Sequence, residues 1–305
     1  MRTTTINIIG DGSIGHLWAA YFFNSQISFD LYGRTAKPLD TYQLSSPNKK
    51  FAYQTSVKLL KDFRRANLTI ICVKAYTLES VCMQLISLSH SPEVILLMMN
   101  GMGLVEIAKK HLTSVSIYHA SITHGANLSG LLLEHTGKGT ILIGDIDQLD
   151  DNKHSAIRSL IPILNQALPH TFWNENQQAS LWRKLLINSI INPLSSLYRV
   201  KNGEISSNFK IHAHAKRLSK ELAPVIEHYL PGQSWQVIFD EVLCVAEQTS
   251  NNRSSMLKDI EANRPTELDF INGYLLQRAA QLGCKLEAHL ELYEQMRTIR
   301  GNSSE

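Results

Sequence analysis

The amino-acid sequence predicts an α/β fold in which a doubly wound, mainly parallel sheet is followed by an all-α domain. The chain has 305 residues, and one hydrophobic core seldom serves that many, so two domains are expected. Short β-rich runs alternate with helical stretches in the first half, as is typical of a parallel sheet covered by helices. From about residue 175 onward, long helical patterns replace the strands.

The first half of the chain carries the predicted sheet. Strands are expected at residues 5–10, 28–33, 68–73, 93–99 and 115–121, with further strands at 139–145 and 170–174. The stretch "AYTLESVCMQLISL" (75–88) has helical composition, whereas "YQLSSPNKK" (42–50) is interpreted as a surface loop.

The second half carries the predicted helices. They are expected at residues 177–198, 208–229, 233–250, 267–282 and 286–299. We therefore predict a first domain of residues 1–174 and an all-helical second domain of residues 175–305.

Composition argues against several classes of protein. A net charge of +3 is too small to indicate nucleic acid as the main partner. The apolar run "VILLMM" (94–99) is far shorter than the ~20 residues that span a bilayer, so no membrane association is expected. The 4 cysteines show no C-x-x-C spacing and the 12 histidines no metal-ligand spacing, so no disulfide framework or metal site is predicted. These features favour a cytoplasmic protein.

A glycine-rich turn follows the first predicted strand. "IIGDGSIGHLW" places glycines at 10, 12 and 15 in the pattern G-x-G-x-x-G, directly before a helix. The first glycine permits a tight turn, the second lets a pyrophosphate approach the backbone, and the third allows close helix–strand packing. In this strand–turn–helix context the pattern favours dinucleotide binding by a Rossmann-type domain over a plain turn. The residues assigned to the cofactor here are Gly10, Asp11, Gly12, Ser13, Ile14 and Gly15.

The end of the second strand bears on the choice of cofactor. Domains that prefer NAD usually carry an acidic residue there, about 20 residues beyond the turn. In this chain the strand runs into "LYGRTAKP", with Arg34 and then Lys37 at that place. An arginine fork suits a 2′-phosphate, so NADPH is predicted. Asp30, a few residues earlier, is the main counter-argument, and Arg34 has the alternative reading of a solvated loop residue.

A polar stripe runs along the first long helix of the second half. In "LWRKLLINSIINPL" (181–194), Lys184, Asn188 and Asn192 recur every four residues, which places them on one side of a helix. Apolar residues cover the rest of the circumference, and buried polar groups are costly unless something hydrogen-bonds to them. Pro193 is expected to bend this helix. The stripe is either the wall of a ligand cleft or a set of side chains that cap neighbouring loops.

Other segments favour the cleft. Pro265 and the capping-box-like pair Thr266 and Asp269 predict a helix start, which places Glu267 in its first turn. Lys74 follows one predicted strand and Asn100 follows another, and open parallel sheets bind ligands at the carboxyl ends of their strands.

These motifs together resemble the ketopantoate reductase (2-dehydropantoate 2-reductase) family. The matching stretches are "IIGDGSIGHLW", "VKAYTLESV", "NGMG", "ITHGA", "LWRKLLINSIINPL", "NGEI", "SSML.DI" and "TELDFINGYLL". They occur in family order from residue 8 to residue 276, so the resemblance covers nearly the whole chain. The pair "LWRKL..N..INPL" and "TE.D.INGYLL" is highly specific, whereas many enzymes share the glycine turn.

The resemblance implies a reaction and a role for each matched residue. NADPH would deliver hydride to C2 of ketopantoate, giving pantoate, a precursor of pantothenate and coenzyme A. Lys184 matches the general acid, and Glu267 matches a residue that orders the site. The implied substrate contacts are Asn100, Asn188, Asn192, Asn202 and Ser255, and the implied cofactor contacts beyond the turn are Arg34, Lys74 and Asn100. Relatives occur as monomers and homodimers.

Two other readings stay open at this point. One keeps the fold and the NADPH but changes the substrate to another branched 2-keto acid. The second is a non-catalytic NADP(H)-binding regulatory protein, against which the presence of Lys184 and Glu267 argues. Fold alone does not separate these functions.

Overall fold

The computed structural model describes residues 4–88, 92–146 and 154–301 of the chain. The described residues divide into two compact units. The N-terminal unit takes its residues from 1–99 and 104–178, and the C-terminal unit takes its residues from 100–103 and 179–305. The predicted roles of residues 1–174 and 175–305 remain predictions.

A mixed sheet forms the centre of the N-terminal unit. Within the described residues its strand order is β11-β10-β7-β6-β5-β1-β2-β4-β3-β9-β8. The strands are β1 (Ile6–Ile9), β2 (Phe29–Gly33), β3 (Lys37–Ser46), β4 (Lys49–Leu59), β5 (Leu68–Ile71), β6 (Val94–Leu97), β7 (Ser116–Ile122), β8 (Gly125–Ser129), β9 (Leu132–Gly137), β10 (Ile141–Gly144) and β11 (Thr171–Trp173). From β7 to β4 every neighbouring pair is parallel. The parallel centre was predicted from apolar runs, and β1, β5 and β6 are indeed buried at every residue.

Helices cover this sheet. They are α1 (Ser13–Asn24), α2 (Leu78–Ile86), α3 (Leu104–His111) and α4 (Ser155–Ala167). Helix α1 packs with α4, and α2 packs with α3. Trp18 and Phe22 of α1 are fully buried in the core that the sheet shares with α1 and α4. The predicted fold class is therefore confirmed, with a parallel-rich, Rossmann-like sheet and helical coverage.

The prediction of a surface loop at residues 42–50 is wrong. This stretch is the tip of the β3–β4 hairpin, in which Tyr42 pairs with Tyr53. Alternate residues face inward, since Tyr42, Leu44 and Tyr53 are buried while their neighbours are not. The tip is rich in serine and lysine and contains a proline, so the alternation of buried and exposed residues was not recognised in the sequence. The β8–β9 hairpin was also not predicted, and it lies beside β3 at the sheet edge.

The C-terminal unit is helical. Its helices are α5 (Gln177–Leu197, whose first two residues belong to the N-terminal unit), α6 (Glu204–Ser207), α7 (Phe209–Glu221), α8 (Ala223–Tyr229), α9 (Trp235–Gln248), α10 (Ser255–Glu261), α11 (Tyr274–Gln281) and α12 (Glu287–Gly301). The single helix predicted over 208–229 is in fact α7 and α8. Pro224 lacks the amide hydrogen that would bond the carbonyl of Lys220, so the first helix ends and a second begins.

Two negative findings apply to the described residues only. None of their helices has the length and apolarity that crossing a membrane requires. They also contain no group of three or more His, Cys, Asp or Glu side chains placed to hold a metal ion.

Candidate active site

The glycine turn of the N-terminal unit has the geometry of a ligand cradle. Gly10 has a positive φ of 122°, and a Cβ built on it would lie 2.9 Å from the carbonyl carbon of Cys72. A Cβ on Gly15 would lie 1.8 Å from the carbonyl oxygen of Gly10, so helix and turn meet at a distance that only glycine allows. A Cβ on Gly12 would meet nothing within 4 Å. Backbone atoms therefore pack closely against Gly10 and Gly15, whereas the space beside Gly12 is open to a ligand.

Two further predicted residues complete this turn. Ser13 begins α1, and its hydroxyl oxygen accepts a hydrogen bond from the amide of Leu128 at 3.1 Å. Ile14 is partly buried against the hydrophobic core. The first amides of a helix have no partner within that helix, and the helix dipole favours an anion there.

The carboxyl ends of β5, β1 and β2 meet at one edge, because these strands are adjacent and parallel. Gly10 follows β1, Arg34 follows β2 and Lys74 follows β5. Arg34 is exposed, and the Lys74 carbonyl accepts hydrogen bonds from the amide and hydroxyl of Thr77. The structure thus brings the predicted cofactor residues of this unit to the same edge.

Asp30, the acidic residue that argued against NADP, lies elsewhere. It is the second residue of β2, pairs in register with Asn7 of β1, and accepts a hydrogen bond from Lys58 at 2.5 Å. An acid that selects NAD stands at the carboxyl end of this strand, where it reaches the ribose hydroxyls. Asp30 stands near the opposite end and is already paired.

In the C-terminal unit, α5 carries the polar stripe. Lys184 and Asn188 are partly buried and Asn192 is buried. Burial lowers the pKa of Lys184 to about 8, because desolvation penalises the ammonium ion, and the negative charge of Glu267 opposes that change. Lys184 therefore remains mostly protonated at neutral pH and releases its proton more easily than an exposed lysine.

Glu267 lies close enough to Lys184 for its charge to act on that lysine. It is buried, and its Oε2 accepts a hydrogen bond from Nδ2 of Asn100 at 3.2 Å. The predicted helix start is displaced: a π-helical turn, Asp269–Gly273, follows, and the Glu267 carbonyl accepts hydrogen bonds from the amides of Phe270 and Ile271. Glu267 therefore occupies the N-cap position of this helical segment, one residue before its first helical residue, Leu268. Single π-helical turns are frequent at functional sites.

The segment Asn100–Gly103 brings Asn100 to this glutamate. Gly101 has a φ of 94°, and a Cβ built on it would lie 2.6 Å from the carbonyl oxygen of Phe270. The amide of Met102 donates to that same carbonyl at 3.0 Å. The "NGMG" motif therefore packs against the π-helical turn, and this contact requires glycine at 101.

Pro193 has a structural consequence that the sequence reading missed. Helix α5 continues through Pro193 to Leu197. Because proline has no amide hydrogen, the carbonyl of Ser189, one turn earlier, loses its usual donor. The side chain of Asn272, fully buried in the π-helical turn, donates to that carbonyl at 2.9 Å. A hydrogen bond thus joins the stretch "LWRKLLINSIINPL", which contains Ser189, to the stretch "TELDFINGYLL", which contains Asn272.

Ser255 lies at the start of α10 and is exposed. The preceding residue, Ser254, caps this helix by accepting from the amide of Leu257, and it also accepts a hydrogen bond of 2.7 Å from Ser195. The same hydroxyl oxygen of Ser195 lies 3.1 Å from the carbonyl oxygen of Asn192. This short chain of contacts fixes the start of α10 beside the last turns of α5. Ser195 lies just beyond the stretch "LWRKLLINSIINPL", and Ser254 lies within "SSML.DI" but has no role implied for it by the resemblance.

Asn202 lies between α5 and α6 and is held by the segment that precedes α10. Its amide donates to the carbonyl of Asn252 and its Nδ2 donates to Oγ1 of Thr249, each at 2.9 Å. Its Oδ1 is buried and finds no hydrogen-bond partner within the part of the chain that the structure describes. Asn202 is thus held by one backbone and one side-chain hydrogen bond, while its Oδ1 acceptor is left for another group.

Comparison with known proteins places this chain in a family. Residues 6–148 match the family model described as "Ketopantoate reductase PanE/ApbA". Residues 176–300 match the model "Ketopantoate reductase PanE/ApbA C terminal". The chain belongs to the ketopantoate reductase family.

Individual relatives agree with this assignment. The 2-dehydropantoate 2-reductase of Vibrio cholerae serotype O1 is 31% identical over 296 residues, covering 96% of this chain and 97% of the relative. The solved structure of the probable 2-dehydropantoate 2-reductase of Bacillus subtilis is 29% identical with a TM-score of 0.74, covering 97% of this chain and 99% of that one. A ternary structure of D-mandelate dehydrogenase with NADH and anilino(oxo)acetate has a TM-score of 0.86 at 21% identity, covering 98% and 99%. That last likeness shows the fold alone. The family assignment makes the chain a member of an oxidoreductase family.

Proposed function

We propose that this protein catalyses the NADPH-dependent reduction of 2-dehydropantoate (ketopantoate) to (R)-pantoate, a step toward pantothenate and coenzyme A. The observation that carries the proposal is the buried centre of the C-terminal unit, where Lys184 has a lowered pKa and Glu267 is bonded by Asn100. In a chain of the ketopantoate reductase family, such a centre suits reduction of a ketone.

Lys184 is proposed as the general acid. Reduction of a ketone creates negative charge on its oxygen, which a nearby ammonium neutralises by giving up a proton. A pKa of about 8 leaves the lysine charged at neutral pH and close to the optimum for proton transfer. Glu267 is proposed to hold the ammonium in its charged form and in position.

Asn188, Asn192, Asn202 and Ser255 are proposed to bind the substrate. Ketopantoate presents a carboxylate, a ketone and a hydroxyl group, and amide and hydroxyl side chains offer both donors and acceptors to such a molecule. The buried Oδ1 of Asn202 supports this role, because an acceptor without a partner in the described residues suits a substrate hydroxyl.

The N-terminal unit is proposed to hold the cofactor. The open space above Gly12 and the start of α1 at Ser13 fit a pyrophosphate, so the residues present suit a dinucleotide. Bound NADPH would supply the hydride. Arg34 is proposed to bind the 2′-phosphate, which the placement of Asp30 away from the strand end supports. Gly10, Asp11, Gly12, Ser13, Ile14, Gly15, Lys74 and Asn100 are proposed as the other cofactor contacts.

The roles of the two domains, the cellular location and the oligomeric state are also proposals. Residues 1–174 are assigned to the cofactor and residues 175–305 to the substrate. The protein is proposed to work in the cytoplasm as a monomer or homodimer, without a nucleic-acid, membrane or metal partner.

The deciding experiment follows absorbance at 340 nm with purified protein. NADPH and NADH are each tested with ketopantoate, 2-ketoisovalerate, pyruvate and phenylglyoxylate, the keto acid of mandelate. Rapid oxidation of NADPH with ketopantoate alone is expected. Faster turnover of another keto acid would refute the substrate, and binding of NADPH without any turnover would favour a regulatory protein instead.

A further inference from the structure

An ion pair spans the glycine turn and the start of β3. Nζ of Lys37 lies 2.7 Å from Oδ2 of Asp11, the residue between Gly10 and Gly12. Both side chains are accessible, with exposed fractions of 44% for Lys37 and 27% for Asp11. Exposed pairs of this kind contribute little to folding stability. A role in ligand binding is therefore the better account of an acid placed inside the glycine turn.

The carboxylate of Asp11 stands at the carboxyl end of β2. A Cβ built on Gly33, the last residue of that strand, would lie 2.8 Å from Cγ and 2.9 Å from Oδ1 of Asp11. This is the place from which an acidic residue reaches the 2′-hydroxyl of the cofactor ribose in proteins that prefer NAD. The chain thus carries an acid at the NAD-selecting place, although that acid comes from the turn and not from β2.

Charge decides what such an acid does. Alone, the Asp11 carboxylate would accept a hydrogen bond from a ribose hydroxyl and would repel a 2′-phosphate. Paired with Lys37, it is neutralised. The Lys37 ammonium has three donors, so the bond to Asp11 leaves two for a phosphate oxygen.

We propose that Asp11 and Lys37 act together as the selector between 2′-phosphate and 2′-hydroxyl dinucleotides, with Lys37 cancelling an acid that would otherwise favour NADH. The inference rests on the proposed binding of a dinucleotide by the N-terminal unit. It adds to the role of Arg34 a second group, Lys37, whose removal leaves the Asp11 carboxylate unpaired and so turns a neutral pair into a negative charge.

The test measures binding of the adenosine half alone, so it does not depend on turnover. Dissociation constants for adenosine 2′,5′-bisphosphate and for 5′-AMP are measured by calorimetry, and those for NADPH and NADH by fluorescence. The variants are Lys37→Gln, Asp11→Asn and the double variant, and thermal unfolding checks that each is folded. The matched control is Lys58→Gln, which breaks a Lys–Asp pair of similar exposure with Asp30 (34% and 28% for the two side chains).

Each variant has a distinct expected result. Lys37→Gln lowers the preference for the 2′-phosphate by roughly ten-fold or more, and 5′-AMP and NADH bind as well as before or better. Asp11→Asn raises that preference about three-fold, because the whole ammonium becomes available. The double variant regains part of what Lys37→Gln loses, since the unpaired carboxylate is gone. Lys58→Gln leaves the preference unchanged.

Other outcomes overturn the inference. If Lys37→Gln leaves the preference intact, if Asp11→Asn lowers it, or if Lys58→Gln matches Lys37→Gln, the pair is not the selector. A wild-type protein that binds none of the four nucleotides would instead refute the proposed function itself. The two failures are therefore distinguishable.

Discussion

The two parts of the molecule assigned to ligands are built in opposite ways. The glycine turn is made of backbone, lies within residues 10–15 and is open above Gly12. The polar centre of the C-terminal unit is made of side chains, is mostly buried, and gathers Asn100, Lys184 and Glu267 from distant parts of the chain. A backbone-built site shows itself in a short motif, whereas a side-chain site is recognisable only when its partners are known. Mutations of the glycines should therefore act through shape, and mutations of Lys184 and Glu267 should act through charge.

Replacing Lys184 should have the largest effect. Lys184→Met keeps the length of the side chain and removes its proton, so kcat should fall by ~10²–10⁴-fold while the dissociation constant for NADPH stays within about three-fold. The matched control is Arg183→Met, the neighbouring cation of α5, which pairs with Glu241. Steady-state kinetics with ketopantoate and fluorescence titration check both. Equal losses in the two variants would mean that α5 had been damaged generally.

Two alanines in the glycine turn should separate fold from binding. Gly15→Ala places a methyl group 1.8 Å from the carbonyl oxygen of Gly10, so the free energy of unfolding should fall by roughly 3 kcal/mol or more. Gly12→Ala meets nothing within 4 Å, so unfolding should be unchanged while affinity for NADPH falls about ten-fold or more. Thermal unfolding and calorimetry test the pair. Unchanged NADPH affinity in Gly12→Ala would contradict the cradle.

Removing the hydrogen bond from Asn272 to the Ser189 carbonyl should have a smaller effect than these substitutions. Asn272→Ala leaves that buried carbonyl without a donor and should lower the free energy of unfolding by about 1–3 kcal/mol. Adding Pro193→Ala restores an amide hydrogen at the right position of α5, so the double variant should regain part of the loss. Urea unfolding of both single variants and the double variant forms a complete cycle. Additive losses would show that Pro193 and Asn272 are not coupled.

The smallest effect expected is on the pH profile. An acid must be protonated to act, so kcat/KM should decline as pH rises above about 8, the pKa of Lys184. The charge of Glu267 raises that pKa, hence Glu267→Gln should move the decline to lower pH. Asp269→Asn, which removes a nearby carboxylate bonded to Tyr293, is the control and should leave the decline in place. A decline unmoved in Glu267→Gln would contradict the coupling of Lys184 to Glu267.

Most elements of the fold are predicted correctly from the sequence, and the errors in that prediction have identifiable causes. Continuous apolar runs identify β1, β5 and β6 because both of their faces are buried. The β3–β4 hairpin was not predicted, because only one of its faces is buried and its tip is polar. The hydrophobic periodicity of residues 208–229 predicts a single helix, but Pro224 divides this stretch into two helices.

For the candidate site, the sequence predicts residues, and the structure adds the contacts that those residues make. The four-residue spacing of Lys184, Asn188 and Asn192 marks a face of a helix, and nothing in that spacing identifies what stands opposite. The bond between Asn100 and Glu267 joins positions 167 residues apart, a separation that no local pattern records. The pairing of Asp11 with Lys37 likewise depends on how β3 starts beside the turn.

The position of the segment Asn100–Gly103 has a consequence for biosynthesis. This segment belongs to the C-terminal unit although the chain on both sides of it belongs to the N-terminal unit. During translation, Asn100 leaves the ribosome well before Glu267, and Gly101 well before Phe270, whose carbonyl it approaches. The C-terminal unit therefore cannot complete its buried centre until the π-helical turn has been synthesised. For the same reason, a fragment that starts at residue 175 would lack Asn100, the hydrogen-bond partner of Glu267.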